Sequence, residues 1–239
     1  MDPGLYIVGT PIGHLGDVTL RALETLRGVS AILAEDTRMT RRLLDRHGIS
    51  TPMISCHKFN ERARTEQVEG RIRAGEAIAL VTDSGMPGVS DPGDRMVAHC
   101  RQSGLPVWVV PGPSAVTSAI ALCGFGGAGF HFAGFLPRKS GARRRELERL
   151  LGMEIPAAFF ESPFRVVHIL EEIETLAPDR EIFVARELTK MFEETLTGKA
   201  AALLERFRAR PPKGEFVIVL GPASGDAKRP DPIPETQPG

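Results

Sequence analysis

The sequence has few cysteines and no excess of either charge. Its 239 residues include only Cys56, Cys100 and Cys123, which form no CxxC pair and are too few for the disulfide framework of a secreted protein. We therefore expect a cytoplasmic protein in a reducing environment. Thirty basic and 30 acidic residues give a formal net charge of zero, which argues against a protein that coats nucleic acid without regard to sequence.

Long apolar runs and several common site motifs are also missing. No basic segment followed by an apolar stretch is present at the N-terminus, so we predict no signal peptide. Glycines interrupt the weakly polar stretch over residues 115–135, which makes it a poor membrane span. The six histidines show no metal-ligand spacing, and no GxSxG is present. These absences argue against a metal site and against a serine hydrolase.

Short runs of Val, Ile and Ala alternate with segments of helical periodicity, which predicts βαβ units and a mostly parallel sheet. In the first half we predict strands over residues 5–9, 31–34, 52–56, 77–82 and 107–110. We predict helices there over residues 18–29, capped by Asp17, and over 37–47, 61–74, 94–102 and 114–123. After Gly124 we predict strands over 130–135, 157–160, 182–185 and 216–220 and helices over 142–151, 164–176 and 200–208.

This pattern divides the chain into two α/β domains, residues 1–113 and 114–222, joined by a glycine-rich stretch. That stretch contains GFGGAG at residues 124–129, which matches GxGxxG but follows a helix, the reverse of the order in a dinucleotide-binding loop. We interpret it as a linker. Residues 223–239 are rich in proline and lack apolar periodicity, which predicts a disordered tail.

Three loops after predicted strands contain more glycine and proline than a simple connection needs. They are residues 9–17 (GTPIGHLGD), 83–93 (DSGMPGVSDPG) and 111–115 (PGPSA). The second has eleven residues, whereas ordinary β–α loops have about 2–6. Because the carboxyl ends of parallel strands share one edge, where open α/β sheets bind ligands, we predict that these loops line one ligand site.

Two basic clusters stand out in this neutral chain. The first is Arg38, Arg41, Arg42 and Arg46 on one predicted helix. The second places five cations within eight residues: Arg138, Lys139, Arg143, Arg144 and Arg145. A solvated helix face gives a similar pattern, but the second cluster contains no acidic residue before Glu146, which favours contact with phosphate.

Several motifs together resemble a known family. Between residues 5 and 220 the chain contains, in order, TPIGHLGDVTLRAL, AEDTR, VTDSGMPGVSDPG, VPGPSA, GFLPRKSGARRREL, FFESPFR, RELTKMFEE and KGEFVIVL. This series resembles the ribosomal small-subunit RNA (cytidine-2′-O)-methyltransferase family of the tetrapyrrole-methylase superfamily. The resemblance implies two α/β domains, the first sheet mostly parallel and the second mixed, with S-adenosylmethionine in the cleft between them. It also implies a homodimer that methylates a cytidine 2′-hydroxyl in the decoding centre of 16S rRNA, in the small ribosomal subunit.

With this resemblance the three loops become the expected cofactor site. The residues that we predict to contact S-adenosylmethionine are Pro11, Gly13, Asp83, Gly85, Met86, Gly88, Val89, Ser114 and Ala115. From the second domain we add Phe160, Ala185 and Glu215. The basic residues Arg138, Lys139, Arg143, Arg144 and Arg145 are the predicted RNA contacts.

For catalysis the preferred group is Glu35, Asp36 and Arg38. A ribose 2′-hydroxyl is a weak acid, so a nearby base would accelerate methyl transfer, and these residues follow the second predicted strand. An alternative is purely structural: Asp36 caps the helix that begins at Thr37, and Glu35 pairs with Arg38. Other carboxylates near predicted strand ends are Asp83, Asp91, Glu161 and Glu187.

The chain departs from the family pattern at a few positions, and two other functions remain open. The family usually has Asn where this chain has His14, Ala-Gly-Thr at residues 84–86, and His where it has Phe164. Many members also carry a longer C-terminal extension. The first alternative function is a tetrapyrrole C-methyltransferase of the same superfamily. The second is a ribosome-binding factor that binds the cofactor without methyl transfer.

Overall fold

A computed structural model describes residues 1–57, 59–127 and 129–223, so the predicted tail beyond Ala223 lies outside the described residues. The described chain forms two compact units. The first unit comprises Met1–Ala115 and Leu188–Met191, and the second comprises Val116–Glu187 and the described residues from Phe192 onward. Among the described residues of both units, no helix is long and apolar enough to cross a membrane.

The first unit contains a five-stranded parallel sheet, as the alternating pattern predicts. Its strands are β1 (Gly4–Val8), β2 (Ala31–Ala34), β3 (Met53–Ser55), β4 (Ala77–Val81) and β5 (Val107–Val110). They lie in the order β3-β2-β4-β1-β5, and each neighbouring pair is parallel. The strands β1, β2 and β4 are buried along their whole length, because both faces of the sheet are covered.

Helices cover the two faces of this sheet in pairs. The helices are α1 (Leu20–Gly28), α2 (Thr37–Arg46), α3 (Glu61–Arg73) and α4 (Asp94–Gln102). Leu26 of α1 and Leu44 of α2 pack with Val8 on one face. Ile72 of α3 and Met96 of α4 pack with Leu5 on the other. After β1 and β2 the chain therefore turns to one face of the sheet, and after β4 it turns to the other. Because β1 and β4 are neighbours, their loops diverge and open a ligand crevice at the carboxyl ends of the strands.

The predicted cap of the first helix is wrong. Asp17 ends a short 3-10 turn over Leu15–Asp17, and α1 begins only at Leu20. Thr19 is its N-cap, since the Thr19 hydroxyl accepts a hydrogen bond from the Ala22 N–H at 3.1 Å. The glycine-rich loop after β1 is accordingly longer than the sequence pattern indicates.

The second unit contains a mixed sheet, as the resemblance implies. Helix α5 (Ala115–Cys123) leads into β6 (His131–Phe135), α6 (Ser140–Leu151), β7 (Ala157–Glu161), α7 (Val166–Leu176), β8 (Glu181–Arg186), β9 (Glu194–Lys199), α8 (Ala200–Ala209) and β10 (Phe216–Leu220). The strand order is β6-β7-β10-β8-β9, with β6 and β7 parallel and the remaining pairs antiparallel. Side chains of α6, α7 and α8 form its main core with Phe159 and Ile218.

The sequence pattern missed one strand, β9. Its sequence, ETLTGK, alternates between half-buried and exposed residues at the edge of the sheet. An edge strand of this kind contains no apolar run, so the rule that finds buried strands cannot detect it.

Candidate functional site

The three loops that follow β1, β4 and β5 meet at the carboxyl edge of the first sheet. Thr10 and Gly85 exchange backbone hydrogen bonds of 2.9 and 3.2 Å, and the Thr10 hydroxyl donates to the Thr82 carbonyl at 3.0 Å. A Cβ atom on Gly9 would lie 2.6 Å from both the Gly112 nitrogen and the Met86 sulfur. Only glycine at position 9 allows the loops to pack this closely.

The predicted cofactor residues of the first unit lie in these loops with different exposures. Pro11 and Gly85 are buried, and Met86, Ser114 and Ala115 are half-buried. Gly13, Asp83, Gly88 and Val89 are exposed. The edge therefore presents main-chain groups, small residues, apolar side chains and one carboxylate to a ligand.

A residue that sequence reasoning missed anchors the long loop after β4. Glu61, the first residue of α3, is buried, and its carboxylate accepts a hydrogen bond from the Gly93 N–H at 3.1 Å. Gly93 has φ +133°, and a Cβ there would lie 2.9 Å from Leu80. The end of the loop is thus fixed by a side chain that is 32 residues away in sequence.

A second missed contact fixes the loop after β1. The Thr189 hydroxyl accepts a hydrogen bond from the His14 N–H at 3.1 Å, across 175 residues of sequence. A Cβ on Gly13 would lie 2.7 Å from the same hydroxyl oxygen. Thr189 has φ +62°, an uncommon conformation for a β-branched residue that tends to persist at functional sites. In the sequence, Thr189 is marked only by its place in the motif RELTKMFEE. That motif does not indicate which residue Thr189 contacts in the fold.

The acidic group after β2 lies beside Asp83 at the same edge. The Asp83 carboxylate accepts a hydrogen bond from the Asp36 N–H at 2.9 Å. Asp36 caps α2 by accepting from the Arg38 N–H at 2.8 Å, and it also binds the Arg38 guanidinium through contacts of 3.0 and 2.6 Å. The structural alternative is therefore correct about the cap, but Asp36 rather than Glu35 pairs with Arg38.

The two neighbouring carboxyl groups differ in how readily they bind a proton. Hydrogen bonds from the Arg38 side chain and backbone lower the pKa of Asp36 to about 2. Burial and then the negative charge of Asp83 raise the pKa of Glu35, although His57 and an N–H of Asp83 oppose this shift. Glu35 consequently holds a proton more readily than an ordinary glutamate, whereas Asp36 stays ionised.

The predicted cofactor residues of the second unit lie together at one end of its sheet. Phe160 on β7 and Ala185 on β8 are the two register partners of Val217 on β10. The Phe160 ring contacts those of Phe132 and Phe135, with centroids 5.0 and 5.4 Å away. Just before β10, the Glu215 N–H donates to the Glu187 carboxylate at 2.9 Å.

Of the five basic residues predicted to contact RNA, Arg143 has a structural role. Its side chain is only 6% exposed, and its guanidinium binds the Glu172 carboxylate and donates to the Arg138 carbonyl at 3.1 Å. Sequence periodicity explains this difference, because α6 turns position 143 to the core face with Leu147 and Leu150. Arg138, Lys139, Arg144 and Arg145 are exposed, and we call these four residues the basic face.

This difference leads to a stability prediction. Arg143→Ala should lower the free energy of unfolding by about 3 kcal/mol, because it leaves the Glu172 carboxylate without its buried partner. Arg144→Ala should change it by less than about 1 kcal/mol, because that side chain is 58% exposed. Urea denaturation of both variants measures the contrast, and equal losses would show that Arg143 contributes no more than a surface charge.

Two other acidic candidates, Glu161 and Glu187, form hydrogen bonds within the second unit. Glu161 is buried, accepts from the Ser162 N–H at 2.8 Å and lies 3.2 Å from the Arg165 guanidinium. Burial raises its pKa. Glu187 accepts a hydrogen bond from the Glu215 N–H just before β10.

Across residues 1–57, 59–127 and 129–223, no group of three or more His, Cys, Asp or Glu side chains could hold a metal ion.

Comparisons with known proteins show which family the chain is similar to. The family model of the tetrapyrrole (corrin/porphyrin) methylases matches residues 4–204. A ribosomal RNA small subunit methyltransferase I of Thermotoga maritima is 46% identical over 216 residues, which cover 90% of this chain and 97% of that protein. A protein of the same name from Mesorhizobium japonicum is 43% identical over 232 residues, covering 96% of this chain and 79% of that protein.

Solved structures of other methyltransferases have the same fold. The methyltransferase CobJ superposes with a TM-score of 0.67 at 19% identity, over 92% of this chain and 94% of its own. The uroporphyrin-III C-methyltransferase of Thermus thermophilus, complexed with S-adenosylhomocysteine, gives 0.66 at 19% identity, over 91% and 97%. The structural similarities establish the fold. The family is identified by the family model and by the sequence identities with the two relatives. The chain belongs to the tetrapyrrole methylases and, within them, to the ribosomal RNA small subunit methyltransferase I family.

Proposed function

We propose that this chain is an S-adenosylmethionine-dependent methyltransferase that modifies the 2′-hydroxyl of a cytidine in the decoding centre of 16S rRNA. The observation that carries the proposal is the meeting of the loops after β1, β4 and β5 beside Glu35 and Asp83 at one sheet edge. The names of the relatives support rRNA as the substrate. The motif resemblance supports the cytidine, a homodimer acting on the small subunit, and a cytoplasmic location.

The residues at this edge fit S-adenosylmethionine. Met86 and Val89 provide apolar surface for a purine ring, and the glycine-rich turns bring main-chain donors and acceptors close to a ligand. The exposed Asp83 carboxylate suits the ribose hydroxyls or the ammonium group. We also keep Phe160, Ala185 and Glu215 as proposed contacts of the second unit. When bound, the cofactor supplies an electrophilic methyl group.

The protein's own contribution to the chemistry is to orient the 2′-oxygen and to accept its proton. We assign the proton to the Glu35 carboxylate, because its raised pKa makes it a stronger base than Asp36. Asp36 holds the Arg38 guanidinium at the start of α2. The exposed Arg38 then contacts a phosphate of the substrate. Alignment of the reacting groups lowers the activation barrier by several kcal/mol more, and by about 7–11 kcal/mol in the best cases.

The two alternatives differ in what the chain would bind and modify. A tetrapyrrole methyltransferase has the same fold, but the exposed cations of the basic face suit the many phosphates of RNA. A ribosome-binding factor without catalysis would not need a carboxylate of raised pKa beside the glycine-rich loops.

One set of assays separates the three functions. We would titrate S-adenosylmethionine calorimetrically and then follow transfer of a labelled methyl group to naked 16S rRNA, assembled small subunits or uroporphyrinogen III. The proposal expects cofactor binding and transfer to one of the RNA acceptors only. Transfer to the tetrapyrrole would support the first alternative, and cofactor binding without any transfer would support the second.

The basic face gives a prediction for RNA affinity. Replacement of Arg138, Lys139, Arg144 and Arg145 by Ala should weaken binding of the RNA acceptor. It should also lower the slope of log K against log salt by about 0.7–0.9 for each phosphate that the variant no longer neutralises. Binding titrations at several salt concentrations measure both effects.

A matched control removes the same charge elsewhere. Replacement of the exposed Arg21, Arg62, Arg95 and Arg101 by Ala should leave the salt slope nearly unchanged. Equal slopes for the wild type and the basic-face variant would show that the four residues are only a solvated surface.

A further inference from the structure

Phe164 is an exposed aromatic residue that the proposed reaction does not explain. Its side chain is 94% exposed, in the loop between β7 and α7. A phenylalanine stabilises a fold by removing apolar surface from water, and Phe164 removes almost none. Its direct neighbours in the loop are Pro163 and Arg165.

The backbone that presents Phe164 is well fixed. The Arg165 N–H and the Val166 N–H both donate to the Ser162 carbonyl at 3.1 Å, which closes a turn around the phenylalanine. The Arg165 guanidinium lies 3.2 Å from the buried Glu161 carboxylate. It also donates to the Leu136 and Pro137 carbonyls at 3.1 and 3.2 Å.

The same contacts place this turn next to the basic face. β6 and β7 are parallel, so the loops that follow them leave the same edge of the second sheet. Arg165 joins the two loops through the Leu136 and Pro137 carbonyls, and the buried Arg143 donates to the next carbonyl, that of Arg138, at 3.1 Å. Two arginines thus fix three consecutive carbonyls in the loop that carries the exposed Arg138 and Lys139.

We propose that Phe164 is a stacking platform for an unpaired base of the RNA substrate, with Arg138 and Lys139 holding phosphates beside it. Proteins that bind unpaired RNA combine exposed aromatic rings with a positively charged path for the backbone. Here one aromatic ring and two cations are presented by hydrogen-bonded backbone at the same edge of the sheet. The inference rests on the proposed function, since it assigns a further contact of the same substrate.

The first test compares three variants with the rRNA acceptor that takes the methyl group. Phe164→Ala removes the stacking surface, so it should weaken acceptor binding about ten-fold or more. The salt slope should not change, because no charge is removed. Phe164→Tyr should restore most of the affinity. The matched control is Phe130→Ala, because Phe130 is 39% exposed and precedes β6 at the opposite end of the strand. It should bind the acceptor as the wild type does.

A fluorescence experiment tests the contact itself. Phe164→Trp, made together with Trp108→Phe, leaves one tryptophan at the proposed stacking position, because Trp108 is the chain's only tryptophan. Addition of the acceptor should quench its emission, since a stacked base quenches indole fluorescence. Unchanged emission while the acceptor binds would overturn the proposal.

The outcomes separate this inference from the proposed function. Loss of affinity in the basic-face variant but not in Phe164→Ala would overturn the stacking platform alone. No loss in either variant would overturn the RNA contact as a whole. Dissociation of a dimer by Phe164→Ala, with acceptor binding unchanged, would assign the ring to contact between copies of the chain and overturn the proposal.

Discussion

Glu35→Gln is expected to lower kcat for methylation of the rRNA acceptor by about 10²–10⁴-fold, with little change in affinity for S-adenosylmethionine. The glutamine keeps the size of the side chain but cannot accept the 2′-hydroxyl proton, and positioned bases contribute rate effects of this size. Single-turnover kinetics and calorimetric titration of the cofactor measure the two quantities. Asp45→Asn, at an exposed position on α2, is the matched control and should retain the wild-type rate.

The pH dependence gives the same prediction a second readout. The wild-type rate should fall as pH decreases through the raised pKa of Glu35, because the protonated carboxyl cannot accept a proton. In Glu35→Gln this acid limb should disappear. A near-normal rate in Glu35→Gln, or an unchanged acid limb, would remove Glu35 from the mechanism.

Glu35→Gln should lower activity without lowering stability at neutral pH. A carboxyl whose pKa is higher in the folded protein than in the unfolded chain stabilises the fold at low pH, and this contribution is lost as pH rises through the folded pKa. At neutral pH, Glu35→Gln should therefore unfold no more easily than the wild type. That outcome would distinguish a loss of chemistry from a loss of structure.

Gly9→Ala is expected to weaken S-adenosylmethionine binding by at least about ten-fold. The new Cβ would lie 2.6 Å from the Gly112 nitrogen and 2.7 Å from the Gly112 Cα, so the backbones of two loops would have to separate. A misplacement of about 1 Å can cost about 10²-fold in catalytic rate, and we expect a loss of affinity from the same loss of geometry. Calorimetric titration of the folded variant measures the affinity.

A second glycine provides the control for this change. Gly70 lies on α3, and a Cβ there meets no atom within 4 Å, so Gly70→Ala should leave cofactor affinity unchanged. Far-UV circular dichroism checks that each variant folds. If Gly9→Ala folds and binds the cofactor as tightly as the wild type, the meeting of the three loops is not the cofactor site.

Much of the fold follows from local sequence patterns. The buried runs of β1, β2 and β4 and the periodicity of α2 and α4 identify these elements, and alternation of strands and helices predicts the parallel sheet. β9 could not be found in this way, because an edge strand with polar residues lacks an apolar run. The order of the strands also depends on packing that no single segment encodes.

The site was less predictable because its contacts cross long stretches of sequence. The glycine-rich loops were visible as motifs, but Thr189 meets His14 across 175 residues, and Glu61 anchors Gly93 from another element. Charge alone predicts that Arg143 contacts RNA together with its exposed neighbours. Its position on the core side of α6 and its partner Glu172, 29 residues away, appear only in the folded chain.

The position of the transferred methyl group tests the central claim most directly. After reaction with labelled S-adenosylmethionine, the rRNA acceptor would be digested to nucleosides and analysed by liquid chromatography and mass spectrometry. The account predicts 2′-O-methylcytidine, with the label on the ribose and its amount reduced in Glu35→Gln. A label on the base, on a nucleoside other than cytidine, or only on a tetrapyrrole acceptor would contradict it.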